Sequence, residues 1–200
     1  MKRHHLKPLS LDELNRALTV VSRELKSFGF ACEGLDACQV CLGVSSRAYG
    51  YQQFGDRTEG RRCGDIILPR ISLSHWTDWI IRNQKTITLD ILRHEFGHAY
   101  ADINQRRIES KRFEKAFGFP HDIWEKHVME YDPEFHISEY AATNPGEDFA
   151  EIFMFFLKHK GRLPRKHDTK PIRRKWGFVD DLRQEPYATT NTLHGAVQYR

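Results

Sequence analysis

The stretch LRHEFGHAYA, residues 92–101, constrains the fold more than any other part of the chain. Leu89, Leu92, Phe96, Ala99 and Ile103 recur at intervals of three and four, the spacing of a buried helical stripe. His94 and His98 lie four residues apart on that helix, one turn above each other on one face. Imidazoles set among core residues are costly without partners. The fold must therefore bring a complementary group to this face. The competing reading, two exposed histidines on an amphipathic helix, has the same spacing, but the apolar flanks argue against it.

His94, Glu95 and His98 form the pattern H-E-x-x-H. Its chemistry follows from the spacing: two histidines aim ring nitrogens at one zinc ion, and the glutamate between them serves as general base. Zinc lowers the pKa of water that it binds to near 7, and Glu95 would take the proton as that water attacks a carbonyl. Gly97 inside the motif costs about 1 kcal/mol of helix propensity relative to alanine. A glycine there permits close approach by another backbone.

A zinc site of this kind needs a third protein ligand. The extended pattern with a third histidine fails, because AYADINQRR after His98 contains Asp102 but neither the glycine nor the histidine. The class with two histidines and one glutamate takes its third ligand from a later helix. YAATNPGEDFAEIF offers Glu147, Asp148 and Glu151. Glu147 and Glu151 are four apart and share a face. Asp148 points elsewhere and is the fallback. Asn144 is a good N-cap, Pro145 suits the first helical position, and Glu147 falls at the capping-box position. Capping and ligation thus compete for one carboxylate.

RHEFGHA followed about fifty residues later by EYAATNPGEDFAEIF resembles the zincin-type metallopeptidases of the lethal-factor-like branch. The resemblance implies a zincin-like fold, in which a small twisted sheet packs on an active-site helix with further helices around it. It implies Glu147 as the third zinc ligand, Glu151 as the partner of a liganding histidine, and Tyr140 as hydroxyl donor to the oxyanion. The match is confined to His94–His98 and Tyr140–Glu151. Residues 1–75 contribute nothing to it.

The rest of the chain reads as α+β. SLDELNRALTVVSRELKSFG is a helix with a Ser10–Glu13 capping box, a stripe of Leu11, Leu14, Leu18, Val21 and Leu25, and a stop at Gly29. Residues 31–73 suggest strands and turns, with runs VCLGVSS, AYGYQQF and DIILPRISL around a loop at 56–64. The motif helix should start at Thr88 or Asp90. Residues 104–139 form a connection with some helix, broken at Gly118-Phe119-Pro120 and Asp132-Pro133. Further helices follow in TNPGEDFAEIFMFFLKH and KPIRRKWGFVDDLRQ. The expected organisation is one catalytic domain over 1–184 and a polar tail over 185–200. The DIILPRISL strand is the expected edge to which an extended substrate adds.

Four cysteines, Cys32, Cys38, Cys41 and Cys63, fall in the strand region. Three readings stay open: a second, structural zinc held by all four, unpaired thiols, or disulfides. Cys63, in GRRCGD, is a further candidate as a thiolate capping the catalytic zinc. His121, His127 and His136 lie in the connection that overhangs the cleft; the expectation for them is an exposed or hydrogen-bonded ring, with an approach of His136 to the site beside Tyr140 as the alternative.

No apolar run suits a membrane span and no signal peptide is evident, so the expected compartment is the cytoplasm. The net charge of +4 is unevenly spread. Residues 158–175 carry nine Lys/Arg against one acid, Asp168. A solvated face is the bland reading; contact with nucleic acid is the other. The leading expectation is a zinc metallopeptidase acting on a protein or peptide. The rivals are a nucleic-acid-associated zinc protein, with a SprT-like protease joining both readings, and a pseudo-enzyme that keeps its metal for folding. Oligomeric state is not readable.

Overall fold

A computed structural model describes residues 9–30, 35, 38–43, 50–52, 64–69, 84–121 and 130–183. Helix α1 (Leu11–Ser27) starts where expected. The Ser10 hydroxyl accepts from the Glu13 amide at 3.2 Å, and the Glu13 carboxylate accepts from the Ser10 amide at 3.0 Å. Its buried face is Leu14, Ala17, Val21 and Leu25. Leu11, placed on that stripe by spacing, is instead 63% exposed. It is the first residue of the helix, and the stripe reaches the core only a turn later. Gly29, at φ +75°, turns the chain out of the helix.

Three short strands follow: β1 (Val40–Gly43), β2 (Gly50–Gln52) and β3 (Asp65–Pro69). Among the described residues they form one sheet of order β1-β3-β2, with β1 parallel and β2 antiparallel to β3. Alternation puts Ile66 and Leu68 in the core. β3, part of DIILPRISL, is therefore central and paired on both sides. The edge that faces the site is β2, so the expected substrate edge is corrected. A strand buried on one face alternates alike at an edge or a centre, so its sequence could not tell the two apart.

The motif helix α2 (Gln84–Ile103) begins a turn earlier than Thr88. A single turn α3 (Gln105–Ile108) and helix α4 (Lys111–Phe117) occupy the next segment. Ser110 caps α4, and Gly118, at φ +90°, ends it. The break at Asp132-Pro133 is a turn closed by the Phe135 and His136 amides on the Asp132 carbonyl. A 3₁₀ turn at Tyr140–Ala142 leads into α5 (Pro145–Lys158), and α6 (Lys170–Leu182) follows. Thr169 caps α6.

The described chain is mixed α and β, mostly helical with a small sheet, which agrees with the α+β expectation at that level. α2 and α5 lie at the centre and pack on each other. Aromatic rings seal them: Phe30, Tyr100, Phe153 and Phe156 on one side, Phe113, Phe117, Phe149 and Phe178 on the other. An ionic chain fixes the helix order. Arg93 binds Glu24 through two bonds of 2.7 and 2.8 Å and Asp90 at 2.9 Å, and Asp90 binds Lys158 at 2.7 Å. This ties α1, α2 and α5 together. No helix among the described residues is long and apolar enough to cross a membrane.

Candidate metal centre

The site begins with a glycine. A Cβ on Gly97 would lie 3.0 Å from the Ala150 Cα and 3.4 Å from the Ala150 and Phe153 Cβ atoms. A side chain at this position would have to push the Ala150 backbone back by a few tenths of an ångström, so glycine eases the close approach of α2 to α5. The close approach sets His94 and His98 opposite Glu147. The two histidine Nε2 atoms are 3.1 Å apart, and Glu147 Oε2 is 3.0 Å from one and 3.2 Å from the other.

These three atoms form a nearly equilateral triangle. The three donor atoms converge closely enough to share one metal ion. His94 Nδ1 lies 2.9 Å from Glu151 Oε1, which calls for a proton on Nδ1. In the neutral ring Nε2 is then a lone pair, aimed at the Glu147 oxygen and the other Nε2. A positive charge at this point, either a proton on Nε2 or a metal ion, satisfies the contact. Burial pushes the His94 imidazolium down, but its bonds to Glu147 and Glu151 overcome this and raise its pKa from 6.5 to about 10. Burial likewise pushes Glu147 up, yet His94 and His98 hold it well below the usual carboxylate range. In the metal-free fold that charge is a proton on His94 paired with Glu147; by position, His94, His98 and Glu147 are the group among the described residues that could hold a metal ion.

The competition at Glu147 is resolved by splitting the residue. Its amide donates to Asn144 Oδ1 at 2.9 Å, so the backbone is capped, while its carboxylate turns to the histidines. Glu151 joins His94 as expected. Its other oxygen accepts from the Ser138 hydroxyl at 2.6 Å. Tyr140 stands at the rim, 54% exposed, with its ring centroid 5.5 Å from that of His94.

Glu95 is placed from the other side. Its Oε2 accepts from the Tyr51 amide at 2.6 Å. Gly50, at φ +111°, brings β2 so near that a Cβ would lie 3.3 Å from the same oxygen. The Tyr51 phenol donates to Asp102 at 2.5 Å and accepts from the Gly64 amide at 2.7 Å. β2 is thus pinned to α2 at Glu95 and again, two turns on, at Asp102. Neither Gly50 and Tyr51 nor Ser138 stands out in the sequence. The available signals were slight: a glycine before an aromatic in a short strand, and a serine three residues before Ala141. The open pocket is lined by Gly50, His94, Glu95, Asp102, Tyr140 and Glu147, among others.

Other expected residues fall elsewhere. Asp148, the fallback ligand, is fully buried and bonds Lys175 at 2.5 Å on α6. A one-residue step is about 100° of helix rotation, so it cannot share the face of Glu147. Burial pushes Asp148 up to about 6 despite Lys175. His136 is buried and takes its bond from the Asp132 amide, while His121 lines the pocket. Cys38 is half-buried and Cys41 exposed, and among the described residues no disulfide joins them. Cys32, Cys63 and His127, and the tail from 185, lie outside the described residues. Most of the basic run is exposed, as the solvated-face reading has it; the exceptions are Lys175, which is buried against Asp148, and Lys158, which is half-buried and paired with Asp90, while Arg173 pairs with Asp168 at the surface. Lys160, Arg162, Arg165, Lys166, Lys170 and Arg174 are exposed.

Comparison of the chain with known proteins finds no matching family model, no matching curated protein and no matching solved structure.

Proposed function

We propose that this chain is a zinc-dependent metallopeptidase of the zincin type. The observation that carries the reading is the triangle of His94, His98 and Glu147 donors with Glu95 held beside it in an open pocket. Histidine nitrogens and one carboxylate are the donor set of a catalytic zinc with an open position. When bound, zinc acts as a Lewis acid that makes water a nucleophile at neutral pH. Glu95 takes the proton of the attacking water and later returns it to the leaving amine. The Tyr51 amide holds one Glu95 oxygen, leaving the other for the reaction. Tyr140 donates its phenol to the developing oxyanion. Glu151 keeps the His94 proton on Nδ1, so that Nε2 presents its lone pair.

The fold supports this reading in outline, since a small sheet presents an edge to the motif helix. The nucleic-acid rival rests on the exposed basic residues of 160–174 and gains nothing from the site itself. A cytoplasmic location and a peptide or protein substrate belong to the same proposal.

The test pairs metal content with cleavage. Wild type and Glu95→Gln are each expected to bind one zinc at the triangle. Wild type cuts members of a proteome-derived peptide library read by mass spectrometry, and Glu95→Gln leaves the library intact. Equal cleavage by both, with zinc retained, would exclude the mechanism.

A further inference from the structure

Glu151 has two oxygens and both are engaged. Oε1 faces His94 Nδ1 at 2.9 Å, and Oε2 faces the Ser138 hydroxyl at 2.6 Å. The same hydroxyl accepts from the Ala141 amide at 3.1 Å. An amide can only donate, so the Ser138 oxygen must accept there. Its single proton is then committed to Glu151. With Glu151 as a carboxylate, Ser138 donates to Oε2 and a proton on His94 Nδ1 donates to Oε1.

Two consequences meet at this hydroxyl. It fixes the carboxylate that fixes the His94 tautomer, and so the lone pair on Nε2. It also closes the turn that carries Tyr140, whose ring stands beside His94. Ile137 before it and Ala141 after it are buried, which anchors the segment on both sides.

We infer that Ser138 is a positioning residue of the metal centre, acting on zinc through Glu151 and seating the turn of Tyr140. The inference rests on the metal-site reading above. It differs from a turn cap alone, because a cap would affect the fold and leave zinc affinity unchanged.

The experiment measures the affinity for zinc alone, by competition with a chromophoric chelator, in the full chain. Ser138→Ala is expected to weaken zinc binding about tenfold, the lower end for loss of an outer hydrogen bond at a metal site. Ser138→Thr, which keeps the hydroxyl, stays within about threefold of wild type. Glu151→Gln weakens binding as well, and adding Ser138→Ala to it produces no further loss, because the serine acts through that carboxylate. Ser138→Cys keeps the size with a poor donor and serves if the alanine variant does not fold. Wild-type affinity in either folded variant overturns the role of Ser138, as does an additive double variant. Failure of the wild type to bind zinc overturns the metal site itself, so the two failures are distinct.

Discussion

The two halves of the site are built by different means. His94, His98 and Glu147 sit on two helices that touch through Gly97 and Ala150. Glu95, the neighbour of His94, is held by the edge of a sheet, through Gly50 and Tyr51. The metal half uses short-range helix periodicity plus one helix–helix contact. The base half joins the helix to a strand 44 residues earlier, and which strand does so, in which register, follows from sheet pairing, not from local periodicity. On the proposed function, the difference implies that metal affinity and turnover are damaged separately.

The largest expected effect breaks the metal half outright. Glu147→Ala should lose about 4 kcal/mol of zinc affinity, roughly a thousandfold, a fair share of the total for one of three ligands. Zinc titration checks this. An affinity within tenfold of wild type would remove Glu147 as a ligand.

Acid should attack the same half. His94 has its pKa raised from 6.5 to about 10 in the metal-free fold, against the pull of burial, by Glu147 and Glu151. A raised value means that protonation stabilises the metal-free fold fully below about 6.5, and that this is lost as pH rises through about 10. Zinc must displace that proton. Its apparent affinity should therefore climb about tenfold per pH unit between 7 and 9, a slope of one proton. A flat profile in chelator competition would contradict the assignment.

The base half should break the other way. Gly50→Ala places a methyl 3.3 Å from the Glu95 carboxylate at φ +111°, so β2 or Glu95 must shift. Peptide cleavage should fall about a hundredfold, as for a catalytic group displaced by roughly 1 Å, with zinc affinity unchanged. If affinity falls equally, the two halves are not separable.

Gly97→Ala is the mildest. It gains up to about 1 kcal/mol of helix propensity but overpacks against the Ala150 backbone at a cost of about 1–3 kcal/mol. A net loss of about 1 kcal/mol in denaturant unfolding is expected. Zinc binding should weaken about tenfold, as for a disturbed outer contact.

The same contrast explains what could be read from sequence. The spacing of His94 and His98, and of Glu147 and Glu151, is a local property of helices, and local periodicity survives without knowledge of the fold. The caps at Ser10, Asn144 and Gly29 were legible for the same reason. Tyr51 was not, because its role depends on which strand pairs with β3 and in what register. Ser138 was hidden because its meaning comes from Glu151, thirteen residues on and across a turn. The misplaced edge, given to DIILPRISL, shows the limit: alternation reports which face is buried and says nothing of the neighbours.

Asp148 and Lys175 carry a last consequence. A helix can in principle rotate about its axis and still bury apolar rings, and α5 has rings on much of its surface. The buried pair between Asp148 on α5 and Lys175 on α6 acts as a rotational stop, indexing α5 so that Glu147 faces α2. Loss of Lys175 would strand a buried carboxylate at a cost of about 3–5 kcal/mol and unlock that setting. A substitution that touches no ligand could thus retire the metal site over evolutionary time. It would fall in a stretch whose composition suggests nothing but surface charge.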